Sequence, residues 1–229
     1  MKRMLFLSSL LSIFSCQTQT LDITKIDLHK NAKETLEGLK ISRIDTQNGA
    51  YKTGGNAELE DNGKISMYYI FKGPSDESKV AYSGIRPEPG TGGRIVEHDD
   101  KIAFINFAFQ RDKTFELLAK LKKDLGTPDQ ILYDSIPNNE SDSEVKMLLK
   151  AFSSEELKYS EDEFGDSYIS FPLHHVWVKD GYIYKYTLLR GRKEYSNDLV
   201  IISKQALLDR IVFGYHNPDK DPIFIKYVQ

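Results

Sequence analysis

The sequence predicts an α+β fold: an antiparallel sheet built from hairpins, with two or three helices packed on one face. Three observations carry this expectation. Asn-Gly, Asp-Asp and Asp-Gly pairs stand beside runs of β-branched and aromatic residues, as tight hairpins require. Two other stretches repeat apolar residues every three or four positions, the spacing of a single helix face. The hairpins are grouped around these helices. Composition agrees. Over 229 residues, 40% hydrophobic and 28% charged side chains can bury a core, which disfavours collagen-like repeats, a long coiled coil or wholesale disorder.

Taken in order, Leu21, Ile23, Ile26 and Leu28 alternate loosely and suggest a first strand. Asn31 and Glu34 have the spacing of a capping box, so a short helix is expected from Ala32 to Lys40. Three hairpins follow. Asn62-Gly63 precedes the strand 65–71; His98 to Lys101 joins 94–97 to 102–109; Asp180-Gly181 joins 176–179 to 182–189. The best helical stripe is Phe115, Leu118, Leu121 and Leu125, with Asp112 as expected N-cap and Gly126 and Pro128 as terminators. Residues 130–133 read as a strand leaving that helix, and 143–152 as a second helix with Val145, Leu148, Leu149 and Phe152 inward. Residues 199–202 and 223–228 read as late strands, while 206–212 fits helix or strand equally. The acidic stretch Tyr159 to Asp166 reads as a loop, so the body is either one domain over 21–229 or two halves with a break near 155–167.

The N-terminus gives an address. Lys2 and Arg3 precede the apolar run Met4 to Phe14. As a helix that run would be about 16 Å long against a hydrocarbon core of about 30 Å, which makes residues 1–15 a signal peptide and not a span. It ends in Ile13-Phe14-Ser15-Cys16, which contains the only cysteine. This resembles the lipobox of bacterial lipoproteins, with Ile13 and Ser15 at the aliphatic and small positions and Phe14 bulkier than usual between them. The resemblance covers residues 1–16 alone. It implies that Cys16 becomes the lipidated N-terminus, with residues 16–20 as a short polar tether. It also implies a place in the cell envelope, on the periplasmic face of an outer membrane, since no acidic residue precedes Asp22. Attachment through more than one acyl chain would be stable, each buried CH₂ contributing roughly 0.8 kcal/mol.

For chemistry, each candidate has a plain structural reading beside it. His174 and His175 are adjacent on a strand, so they point to opposite faces and cannot readily share a metal. His216, Asp219 and Asp221 have ligand-type side chains but sit among prolines, as in a turn. Glu161, Asp162, Glu163 and Asp166 suggest a calcium loop without the EF-hand ligand pattern. Gly90-Thr91-Gly92-Gly93 could present backbone N–H groups to an anion, without the Gly-Lys-Ser/Thr of a P-loop. No nucleophile elbow, zinc-protease motif or cofactor motif is present, so no catalytic residue, metal or cofactor is assigned. Lys+Arg 31 against Asp+Glu 34 does not advertise nucleic acid.

The remaining feature is Trp177, Tyr182, Tyr184 and Tyr186 with Arg190 and Arg192. The tyrosines share one strand face. They are either core or a partner-binding surface of the type rich in Tyr, Trp and Arg. The expected function is therefore a lipid-anchored envelope protein, non-catalytic, that binds another protein as an immunity or inhibitor lipoprotein or an assembly accessory. The alternatives are an envelope polymer or glycan hydrolase, with carboxylates such as Glu88, Glu97, Glu161 or Glu163 set roughly 5–9.5 Å apart, or small-ligand capture in an apolar cavity lined by tyrosines.

Overall fold

The computed structural model describes residues 20–45, 66–139, 143–191, 194–209 and 221–228. The strands are β1 (Leu21–Asp22), β2 (Ser42–Asp45), β3 (Ser66–Phe71), β4 (Val80–Ala81), β5 (Gly93–His98), β6 (Lys101–Phe107), β7 (Gln130–Pro137), β8 (Lys158–Glu161), β9 (Ser167–Lys179), β10 (Tyr182–Arg190) and β11 (Tyr195–Ser203). The helices are α1 (Ala32–Leu36), α2 (Pro74–Glu77), α3 (Thr114–Leu125), α4 (Ser143–Ala151), α5 (Lys204–Leu208) and α6 (Ile225–Val228). Apart from the short parallel pair β1–β4, the strands form one antiparallel sheet in the order β2-β3-β5-β6-β11-β10-β9-β7, with β8 beside the first residues of β9. The fold is α+β, as expected.

Local turn chemistry sets two of the hairpins. Asp99 and Asp100 (φ 49° and 60°) and Asp180 and Gly181 (φ 50° and 79°) all adopt left-handed backbone, the conformation a two-residue primed turn needs. The Asn62-Gly63 turn lies outside the described residues. The acidic stretch is no break. It is the connection of a further hairpin, in which Lys158 pairs with Ser170 and Glu161 with Ser167. Pairing of β6 with β11, from Phe107 opposite Leu199 to Phe104 opposite Ile202, joins the first and second parts of the chain in one sheet.

Both faces of the sheet are buried along much of their length. Ile95, Ile105, Phe107, Leu199, Ile201 and Tyr186 point to a first cluster, and Val96, Phe104, Val200, Ile202 and Ile183 to a second. A bulge between Val96 and Glu97 leaves Ala103 extra, which explains why Ala103 and Phe104, though adjacent, share the second side. Apolar residues of α1, α3 and α4 join the first cluster, whereas Ala206 and Leu207 of α5, with Ile223 and Phe224, join the second. Helices confined to one face were expected. That is corrected here, because the central strands carry consecutive apolar residues, as in Leu199 to Ile202, and both faces need cover.

Other corrections share a cause: a side chain takes the backbone donors and turns the chain. Asp22 accepts from Thr24 N and Ser83 N at 3.2 and 2.9 Å, so the strand expected over 21–28 stops after two residues and a 3-10 turn follows. Asn31 caps α1 as predicted, but α1 gives way to a 3-10 turn at Glu37–Leu39. Asp112 is not the N-cap of α3; it lies in a 3-10 turn, Arg111–Lys113. The late segment read as a strand is helical over Ile225–Val228, because Asp221 Oδ1 accepts from Ile223 N and Phe224 N at 2.8 and 3.1 Å. Ser203 likewise caps α5, resolving that ambiguous region as helix at its start.

Gly93 is sterically required. A Cβ at Gly93 would lie 2.1 Å from two ring carbons of Phe107, which packs edge-on against Phe71. We expect Gly93→Ala to lower the unfolding free energy by about 1–3 kcal/mol, since a filled core must shift to admit it. Urea denaturation checks this, and an unchanged midpoint would contradict it.

Candidate functional site

The aromatic group singled out in the sequence is interior. Trp177, Tyr182 and Tyr186 are buried in the first cluster, with Tyr184 partly buried against it. Their polar atoms are used internally. Trp177 Nε1 donates to Gly126 O at 2.8 Å and Tyr186 OH to Thr114 O at 2.9 Å. Tyr182 OH shares its proton between Leu28 O and Ile102 O at 2.8 and 2.9 Å. Burial, with Tyr184 and Asp27 contributing, pushes the Tyr182 hydroxyl up to about 12, and burial alone raises Tyr186 further. The alternation does place the tyrosines on one face, and that face is covered by helix. Arg190 stays half exposed and donates from Nε to Glu144 Oε2 at 2.6 Å; Arg192 and Cys16 lie outside the described residues. Of the two readings left open by the sequence, the rings of Trp177, Tyr182 and Tyr186 take the core one.

His174 and His175 do point to opposite faces. His174 Nδ1 lies 3.0 Å from Thr187 Oγ1. His175 is fully buried, nearly parallel to Phe152 on one side and Trp177 on the other. Neither of its ring nitrogens has a hydrogen-bond partner among the described residues. Burial, reinforced by Lys122, holds its pKa down to about 4, and burial with Lys185 does the same for His174. Such a ring is packing, not a ligand.

The Gly-rich segment does bind an anion, and the anion is internal. The buried carboxylate of Glu77, at the end of α2, accepts from Gly90 N at 2.8 Å and Gly92 N at 2.6 Å. Those donors are spoken for. The four carboxylates of the hydrolase alternative are likewise not assembled. Glu88 accepts from Arg111 N at 3.0 Å, and Glu97 accepts from Tyr69 OH at 2.7 Å. Glu97 on β5 is separated from β9, the strand that pairs with β8 in the hairpin of Glu161 and Glu163, by β6, β11 and β10, a lateral gap of about 19 Å at about 4.8 Å per strand. A surface recess is lined by residues such as Leu21, Lys25, Ile26 and Leu39, and by none of the tyrosines of the small-ligand alternative.

The outstanding surface feature is the tip of the β8–β9 hairpin. Phe164 is 83% exposed there, with Tyr159 also exposed on β8. The tip is held from within. Asp162 Oδ1 accepts from Phe164 N and Asp166 N, both at 2.9 Å, and Asp162 N donates to Asp166 O at 3.0 Å. Gly165 supplies the positive φ, 84°, that closes the turn. Asp162 also lies 3.4 Å from Tyr168 OH and holds that hydroxyl above its ordinary range by its charge. The result is an apolar ring presented on a braced turn, flanked by Glu161, Glu163 and Asp166 with no basic residue between 161 and 166. In the sequence this stretch reads as an acidic loop, in which Phe164 carries no pattern of its own. The available signal was a lone aromatic between Glu163 and Gly165. No protein-family model, curated protein or solved structure matches the chain.

Proposed function

We propose that the chain is a lipid-anchored protein of the bacterial cell envelope, on the periplasmic face of the outer membrane, whose folded body binds another protein. The immunity or inhibitor type and the assembly accessory are the two roles that fit. Anchoring is supported by Ile13-Phe14-Ser15-Cys16 at the end of a run too short to span. Among the described residues no helix is long and apolar enough to cross a membrane. Binding is supported by one observation above others: Phe164, held out on the Asp162 turn. A braced aromatic loses little freedom on association, and aromatic anchors carry a large share of the energy in protein interfaces. The surrounding carboxylates favour a partner with an apolar pocket rimmed by Lys and Arg, and make encounter fall with salt.

Two measurements on the full chain test this reading. Mass spectrometry of the processed product is expected to show Cys16 as an acylated N-terminal residue; a free thiol there would overturn the anchor. Cross-linking in intact cells is expected to trap a partner that Phe164→Ala loses by about tenfold or more, the effect of removing an interface anchor. An undiminished adduct would remove the hairpin tip from the interface. Because Phe164 is exposed, the variant folds normally.

A further inference from the structure

We infer that His98, Asp99 and Asp209 form a zinc site that clasps the end of α5 to the β5–β6 turn. His98 Nε2 lies 3.3 Å from Asp209 Oδ2 and 3.7 Å from Asp99 Oδ2, and the three donor atoms all fall within 4.8 Å of one another. Around a tetrahedral zinc with bonds of about 2.0–2.2 Å, neighbouring donors sit roughly 3.3–3.6 Å apart. The His98–Asp209 distance is also that of a hydrogen bond, which joins the ring to the carboxylate in the metal-free chain. The His98–Asp209 distance falls in that range and the His98–Asp99 distance just outside it, so binding would draw the two carboxylates together around the ring nitrogen.

Sequence neighbours on a strand normally diverge, as His174 and His175 do. His98 and Asp99 escape that rule because the strand ends between them: His98 is the last residue of β5, and Asp99 takes left-handed backbone, φ 49°, in the turn. The third donor comes from the other side, from the C-terminal end of α5. Asp209 is oriented from behind, since Gln205 Nε2 donates to its other oxygen, Oδ1, at 3.0 Å. Partners of this kind fix ligand direction and tune affinity in metal sites. Each of the three residues also makes contacts outside the triad.

One imidazole and two carboxylates suit zinc, whereas calcium seeks six to eight oxygens. The His98 side chain is 3% exposed and Asp99 62%, so the site has a buried anchor and a wet side, where water completes the coordination. The metal would close a link between residues 98–99 and 209. That matters because α5 has five residues and a helix so short is held by its contacts, not by propensity.

The test uses the full untagged chain, purified in detergent and stripped with chelator, with zinc chloride as the probe. Expected are one zinc per chain by calorimetry, an increase in Tm on zinc addition, and an X-ray absorption spectrum with a single imidazole. Asp99→Asn keeps the turn, because Asn tolerates left-handed backbone, and should weaken zinc binding about tenfold or more. Asp209→Asn should do the same, while calcium chloride should leave Tm unchanged. Absence of stoichiometric zinc in the folded chain, or affinity unchanged in both variants, would overturn the site.

Discussion

Acidification from pH 7 to pH 4 is expected to remove roughly 2–3 kcal/mol of folding stability through His175 alone. In the unfolded chain this ring titrates near 6.5; in the fold, burial first and Lys122 second hold it down to about 4. Between those values the unfolded state binds more protons than the folded state, so stability rises with pH across the window and falls on acidification. Above about 6.5 the ring is neutral in both states and contributes no slope. His174 shifts the same way, but its ring is partly screened by solvent. Asp22, Asp76 and Glu156, with lowered pKa values, lose their stabilisation only at more acid pH, and Asp198, with a raised one, opposes them.

His175→Phe isolates the effect. A phenyl ring keeps the packing between Phe152 and Trp177 and removes two buried nitrogens that lack partners. At pH 7 the variant should be more stable than the parent by about 1–2 kcal/mol, and the gap should widen towards pH 4. Urea titrations at pH 7, 5.5 and 4 measure it. Parallel curves would show that His175 does not carry the acid sensitivity.

The same residue illustrates what the sequence can and cannot reveal. Alternation showed that His174 and His175 diverge and that Tyr182, Tyr184 and Tyr186 converge. It could not show which side would be covered, because cover comes from α3 and α4, far away in the chain. Hairpins closed by Asp99-Asp100 and Asp180-Gly181 were legible, since the turn residues themselves supply the backbone conformation. The apolar stripe of α3 was legible for a similar reason. The C-terminal helix was not: Ile223 to Val228 has strand composition, and Asp221, whose cap decides the matter, sits among prolines in a stretch that reads as a turn. β2 has no strong pattern of its own and exists by pairing with β3. For the candidate surface, a ring that projects and a ring that packs have identical sequence signatures, so Phe164 became visible only through its exposure. The rule that neighbours diverge holds at 174–175, where the two rings lie on opposite faces. It says nothing about 98–99, where a turn suspends it.

Asn197→Ala should be the most damaging single change considered, at about 3–5 kcal/mol. Asn197 is fully buried on β11, and its amide is used at both ends. Oδ1 accepts from Phe109 N at 2.9 Å, while Nδ2 donates to Phe109 O at 3.1 Å and Thr114 Oγ1 at 2.9 Å. Thr114 opens α3, whose N-terminus has no side-chain cap, and its carbonyl receives the Tyr186 hydroxyl. One side chain thus takes over from the backbone pairing of β6 and β11, which ends at Phe107 and Leu199, and fixes where the helix begins. Alanine would leave the Phe109 N–H and C=O buried without partners, at about 1–3 kcal/mol for each group, and add a small cavity. Thr114→Val, which removes only the hydroxyl, should cost about 1 kcal/mol. Amide exchange adds a local readout: Phe109 should lose protection in the Asn197 variant and keep it in the Thr114 variant. A loss below about 1 kcal/mol for Asn197→Ala, with Phe109 still protected, would mean that the packing around Phe109, and not the amide, holds this junction.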